Sequence, residues 1–287
     1  QGDVNYGTKP DPKAETSTNT EKTAVIEYKE ASSDDTAYSQ TVPTAVGNYT
    51  VRATFAETEA YGEAVATTDF SIRYLETPEP PYTLVGTKGE NGYYTSNVVV
   101  KPAKGYMIST ELNGTYVESL TIQNSQSGTV FYLRNASGER TGALRLETIK
   151  IKKQTPKLSL ENGKTYYGDS QKLVIQDDYL SQVYVNGVLQ NLDGTEFVLQ
   201  LGSNNGKKKY EITAVDVAGN KKTILVTVAA TWMKTGIIPE GVLVNLETGN
   251  GYKLGNGNWK VAGDSTSYSG GTEFYVKKDG SYTFGKQ

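Results

Sequence analysis

The chain has 287 residues, a net charge of −3, and neither Cys nor His. With no His and no Cys, it can hold no Ser-His-Asp triad, Cys-His dyad, reactive thiolate, His-ligated metal or disulfide. Its 29 Lys and Arg form no dense block, so sequence-independent nucleic-acid binding, which needs clustered cations, is not expected.

Only 36% of residues are hydrophobic, yet 21 are Tyr, 6 Phe and 2 Trp, with 30 Gly. Low aliphatic content with many amphipathic rings suits thin sheets that keep one wet face and turn often. Alternating apolar runs recur along the chain, which argues against disorder. Mean hydropathy is −0.51, and no run approaches the roughly 18 apolar residues of a membrane span. The first twenty residues are polar and carry no signal-peptide pattern, and the first strand-like pattern starts abruptly, so we expect a soluble piece of something longer with no membrane insertion of its own. Small eukaryotic secreted domains usually carry disulfides; a Cys-free chain fits a Gram-positive surface protein better.

In chain order, four β-segments are expected. Residues 1–75 include NYTVRATF, where Tyr49, Val51, Ala53 and Phe55 alternate with polar residues, and close on DFSI, where Phe70 and Ile72 share a face. Between them AETEAYGEAVA (56–66) is the nearest approach to a helix, but Gly62 and its flanks make it a loop. ETPEPPY (76–82) then reads as a linker, since Pro donates to no ladder. Residues 76–153 run from there to GALRLETIKI and the seam KKQTP. Residues 154–230 include VYVNGVLQ, whose Asn186-Gly187 is a type I′ hairpin signal. Residues 231–287 form a short tail.

Register can be tested at two loops. If Val217-Ala218-Gly219 is a three-residue loop with a left-handed Gly, Ile212 faces Ile224 and Tyr210 faces Val226. The same rule applied to Lys278-Asp279-Gly280 pairs Val276 with Tyr282 and Phe274 with Phe284. Both glycines are then expected at positive φ.

The stretches YGTKPDP, VIEYKE and TVPTAVGNYTVRATFAETEAYGEAVATTDFSI resemble the repeated immunoglobulin-like modules of Firmicutes surface proteins, with Val46 where Ala usually precedes Gly47. NGYYTS…FYLRN…IKI and NGKTYYGDS…ITAVDVAGN resemble further modules, and WKVAGDSTSYSGGTEFYVKKDGSYTF resembles the cap at the end of such arrays. The resemblance covers nearly the whole chain. It implies tandem β-sandwiches on a Gram-positive cell surface with an adhesive role, and it supplies no catalytic motif.

Candidate sites are few. Asp34-Asp35 and Asp177-Asp178 are adjacent acidic pairs, but glycosidase chemistry needs two carboxylates facing across a cleft, whereas strand neighbours point apart. SSDDT and QDDYL read as turns. Asp177, Asp178, Asp216 and Asn220 could converge on calcium, which takes six to eight oxygens, though Asp216 is equally explained as a turn residue. Trp259, Tyr268 and Tyr275 are candidates for stacking on a sugar, with Tyr93-Tyr94 and Tyr166-Tyr167 as further pairs. Trp259 alternates with Val261 as a core residue would, and Tyr275 lies between two expected core positions. A spontaneous Lys–Asn crosslink would need a buried Lys beside a buried acid, and no strand shows one.

The expected architecture is all-β: tandem immunoglobulin-like β-sandwiches over 1–75, 76–153 and 154–230 with a small C-terminal β-domain over 231–287. The expected function is a non-catalytic, extracellular stalk or adhesin, at the cell surface or attached to the cell wall, with no cofactor. A module binding a host or cell-wall glycan or protein on behalf of a surface enzyme is the alternative. A monomer is expected.

Overall fold

The computed structural model describes residues 1–287 and is nearly all β, 47% strand and 2% helical. The chain forms two compact units: Gln1–Lys88 with Ser96–Ile151, and Gly89–Thr95 with Lys152–Gln287.

The first unit opens with one four-stranded sheet. Strands β1 (Val4–Asn5), β2 (Val25–Glu30), β3 (Gly47–Phe55) and β4 (Ala64–Arg73) lie in the order β1-β4-β3-β2. β1 runs parallel to the end of β4, and the remaining pairs are antiparallel. The alternation in NYTVRATF decides the inner face: Tyr49 pairs with Phe70 and Val51 with Thr68, and Tyr28, Tyr49, Val51, Phe70 and Ile72 cluster there. The segment 56–63 is a loop, and β4 begins at Ala64. Residues 6–24 contain no strand. Residues 12–16 face the inner side of the sheet across an open trough of about 340 Å³. Buried Asn19 pins the 56–62 loop, its amide donating to Ala56 O and Gly62 O.

The rest of this unit holds two three-stranded sheets: Tyr82–Val85, Val98–Pro102 and Leu120–Ile122; and Tyr106–Ser109, Val130–Asn135 and Leu144–Arg145. Val98, Val100, Ile108, Phe131 and Leu133 are fully buried. Tyr6 joins the two parts of the unit. Its ring meets Tyr74 and the Arg140 guanidinium, and its hydroxyl donates to Asn113 Oδ1. Beside it, the Glu139 carboxylate accepts from Asn5, Thr8 and Asn135.

The second unit contains a complete sandwich. One sheet holds Lys157–Leu158, Ser170–Gln176 and Glu196–Gly202. The other holds Thr165–Tyr167, Lys221–Ala229, Lys207–Asp216, Leu180–Val185 and Val188–Leu189, in spatial order. The opening extended segment thus pairs antiparallel in one sheet and then parallel to the last strand of the other. This splitting of strands between two sheets is immunoglobulin-like. Leu173, Ile175, Val183, Ile212 and Ile224 form its interior. Tyr210 pairs with Val226 and Ile212 with Ile224, and Gly219 sits at φ +84°. Asn186 and Gly187 both have positive φ between paired Val185 and Val188, as a type I′ turn requires.

The tail is itself two sheets, and its expected hairpin is corrected. Phe274 pairs with Tyr252, Tyr282 with Val244 and Phe284 with Val261. Glu273–Tyr275 and Gly280–Lys286 lie in different sheets, and Gly280 has no positive φ. Phe274 and Phe284 do meet, with ring centroids 5.0 Å apart and planes at 82°, but across the core rather than along a ladder. Inward parity is the same for a hairpin neighbour and for a residue on the facing sheet, so alternation alone could not separate the two.

Candidate functional site

The acidic loops of the second unit converge on a cation supplied by the chain itself. Asp177 follows the strand Ser170–Gln176, and Asp216 ends Lys207–Asp216. Lys152 Nζ lies 2.8 Å from Asp177 Oδ2 and 3.3 Å from Asp216 Oδ2. The three side chains are 15%, 6% and 0% exposed. Asp216 is fully engaged: Oδ1 accepts from the N–H groups of Ala218 and Asn220, and Oδ2 accepts from Asn220 Nδ2. Asn220 Nδ2 also donates to Lys152 O, and Lys152 N–H donates to Tyr94 O. Asp177 Oδ1 caps the turn at Tyr179 N–H. Burial by itself lowers the pKa of the Lys152 ammonium, but hydrogen bonds to Asp177 and Asp216 outweigh it and hold the group above the ordinary lysine value.

Of the four calcium candidates, Asp177, Asp216 and Asn220 therefore come together, while Asp178 is exposed beside them. The positive charge they surround is an ammonium. Lys152 is largely buried but lies outside any strand, in KKQTP, where strand alternation says nothing. On strand β2 Lys29 is 11% exposed, contrary to expectation, although its partner Asp35 is exposed. The segment 89–95, which includes the short strand Tyr93–Tyr94, packs against the same place. Glu90 N–H donates to Ala218 O, Asn91 Nδ2 donates to Val217 O, and the Tyr93 and Tyr179 rings meet at 6.2 Å. Gly89 has a backbone reason here, since a Cβ would stand 2.4 Å from Ala218 O.

The three aromatic candidates do not share one platform. Trp259 is 2% exposed in the tail core, its Nε1–H donating to Gly255 O at 2.7 Å. Tyr268, its cross-strand partner, is half-buried, packs edge-on against Phe274 and donates its hydroxyl to Asp264 Oδ2. Burial and that carboxylate raise the phenol pKa. Tyr275 is 61% exposed in the other sheet. Its ring lies over Gly251, where a Cβ would come within 2.9 Å, and its hydroxyl donates to Glu273 Oε2. In the pair Tyr166-Tyr167, Tyr166 packs on the core and Tyr167 is exposed.

No family model matches the chain. It is 30% identical over 115 residues to Bacillopeptidase F of Bacillus subtilis, a match spanning 37% of this chain and 8% of that protein. Among solved structures, a Bacteroides ovatus mixed-linkage glucan utilisation protein, SGBP-B, in complex with a mixed-linkage heptasaccharide is similar at 12% identity. That alignment covers 100% of this chain and 87% of the other, with a TM-score of 0.21. The sialic-acid-binding region of a Streptococcus sanguinis adhesin is similar at 14% identity, covering 69% and 59%, with a TM-score of 0.24. The N-terminal four Ig domains of Dscam1 isoform 8.4 are similar at 10% identity, covering 64% and 54%, with a TM-score of 0.25. At these scores the likenesses carry no weight for fold or function. No helix is long and apolar enough to cross a membrane.

Proposed function

We propose that the chain is a non-catalytic, extracellular spacer or adhesin segment built from four β-modules, at about 1–75, 76–153, 154–230 and 231–287, and held at a Gram-positive cell surface. The observation that supports this most is that apolar side chains gather in separate clusters along the chain. Tyr28 to Ile72, Leu160 to Val228 and Ile238 to Phe284 each serve a stretch of consecutive strands. Such modules resist load one after another and need no common active cleft. Stretching the full chain by force spectroscopy should give several separate unfolding events. A single cooperative rupture of all 287 residues would contradict the reading.

The second reading, a binding or spacer module carried by a larger enzyme, is favoured by the partial match to Bacillopeptidase F. Glycan binding belongs to it, with Tyr275 as the exposed ring. Array or mucin binding that disappears on Tyr275→Ala with an unchanged fold would favour that reading. Loss confined to Trp259→Ala would report loss of the tail core instead.

A further inference from the structure

We propose that the open edge of β4 and the trough behind it form a strand-docking site for an extended peptide with bulky apolar residues at alternate positions and basic flanks. Such a site goes beyond the spacer reading, and neither depends on the other. β1 pairs with β4 only at Ile72 and Arg73. On that side of β4, Ser71 N–H donates to Asp3 Oδ1 and Arg73 O accepts from Tyr6 N–H. Both backbone groups of a strand residue point to the same side, and the side alternates along the strand. Val65, Thr67 and Asp69 therefore direct their N–H and C=O groups to the open edge, while Ala64, Ala66 and Thr68 direct theirs to β3.

Natural edges are commonly guarded by Lys, Pro, a bulge or a covering segment. The stretch AVATTDF (64–70) has neither Lys nor Pro, its ladder with β3 is continuous, and Val65 to Asp69 are exposed. A strand added there would lie about 4.8 Å from β4, and every second side chain would enter the trough. The trough holds about 340 Å³ between residues 12–16 and the inner face formed by Ile26, Val51, Ala53 and Phe55. Ala66 leaves it unfilled. At its wall, Gln1 Oε1 is buried without a hydrogen-bond partner, an acceptor that an incoming N–H would satisfy.

Charge selects the occupant. Residues 1–75 carry 6 Lys and Arg against 12 Asp and Glu, a net of −6. Glu15 and Lys13 both line the trough, Lys13 being paired with Asp11 at 2.7 Å, and Glu57, Glu59 and Glu63 precede β4. A second copy pairing through its own β4 would bring the same negative charge, and its Ala66 and Thr68 would leave the trough empty. A basic-flanked peptide with larger apolar residues meets both requirements.

The test uses the full chain and a fluorescein-labelled peptide, Lys-Lys-Val-Thr-Ile-Thr-Val-Lys-Lys, with a control in which the central Ile is Pro. We expect saturable binding of the first peptide and at least tenfold weaker binding of the control. Thr67→Pro removes only an outward N–H and should weaken binding at least tenfold with unchanged circular dichroism; Ala66→Trp should do the same by filling the trough. In the wild-type chain, which needs no variant, bound peptide should slow amide exchange at Val65, Thr67 and Asp69. Absence of saturable binding, equal binding of the control, or protection at other strands would overturn the proposal. So would a concentration-dependent doubling of mass abolished by Thr67→Pro, which would make the occupant a second copy.

Discussion

Residues 157–230 and 1–75 use the same alternation on paired strands and reach different degrees of closure. In the former, two sheets face each other, and Leu173, Ile175, Val183 and Ile212 are all fully buried. In the latter, a single sheet gathers Tyr28, Tyr49, Val51, Phe70 and Ile72, and segments without strands supply the opposite wall. The closed sandwich relies on aliphatic side chains packed from both sides, whereas the open sheet relies on rings that cover more surface each. Alternation thus specifies which side of a strand is inside, while the number of layers depends on whether enough strand-forming sequence exists to build a second sheet. Residues 6–24, rich in Thr and Lys, do not provide it.

The sharpest way to break this contrast is paired truncation. Ile212→Ala lies between two sheets and should cost about 4 kcal/mol, within the range for deeply buried aliphatics. Ile72→Ala, beneath strand-free cover that can collapse around it, should cost about 2 kcal/mol. Equal losses in urea unfolding would show that the first sheet is as tightly enclosed as the sandwich.

Lys152→Met should cost about 3 kcal/mol, because it leaves the Asp177 and Asp216 carboxylates buried without their counter-charge. The same ammonium gives the second unit an alkaline signature. Its pKa is raised above the ordinary 10.5, so its stabilising contribution is complete below that value and is lost as pH rises through the higher folded pKa. Stability measured up to strongly alkaline pH should fall less steeply in Lys152→Met.

The first unit should show the opposite sign at a smaller amplitude. Hydrogen bonds from Asn135 and Asn5 lower Glu139 below its ordinary 4.5 against a weaker effect of burial. Its contribution is therefore present above the ordinary value and lost as pH falls through the folded pKa. Glu139→Gln should flatten the acid limb by about 1 kcal/mol or less. Smallest of all, Tyr275→Ala should change stability by about 0.5 kcal/mol or less, since its ring is exposed on Gly251. A larger loss by calorimetry would place that ring in the tail core.

Much of the fold was legible in the sequence. Asn186-Gly187 and Gly219 declared their turns because positive φ restricts the residue types, and Tyr49, Val51, Phe70 and Ile72 declared an inner face by period. The tail register was not legible, since Phe274 opposite Phe284 satisfies a hairpin and a cross-core contact equally. Lys152 was hidden for another reason. It lies in an irregular segment, and its two carboxylate partners are 25 and 64 positions away, with no spacing rule to link them. Trp259 was read as core from its alternation with Val261, and its burial agrees. The trough behind β4 had no signature at all, because an uncovered sheet face is written in the same alternation as a covered one.

The difference between closed and open regions is tested most directly by amide hydrogen exchange on the full chain without added peptide. Exchange reports whether a backbone N–H is paired and how often it opens. Amides along Ile212–Val215, held between two strands, should exchange slowly, while Val65, Thr67 and Asp69 should exchange nearly as fast as in an unfolded chain. Slow exchange at all three β4 positions would mean that the edge is already paired, and would contradict both the open sheet and the docking site built on it.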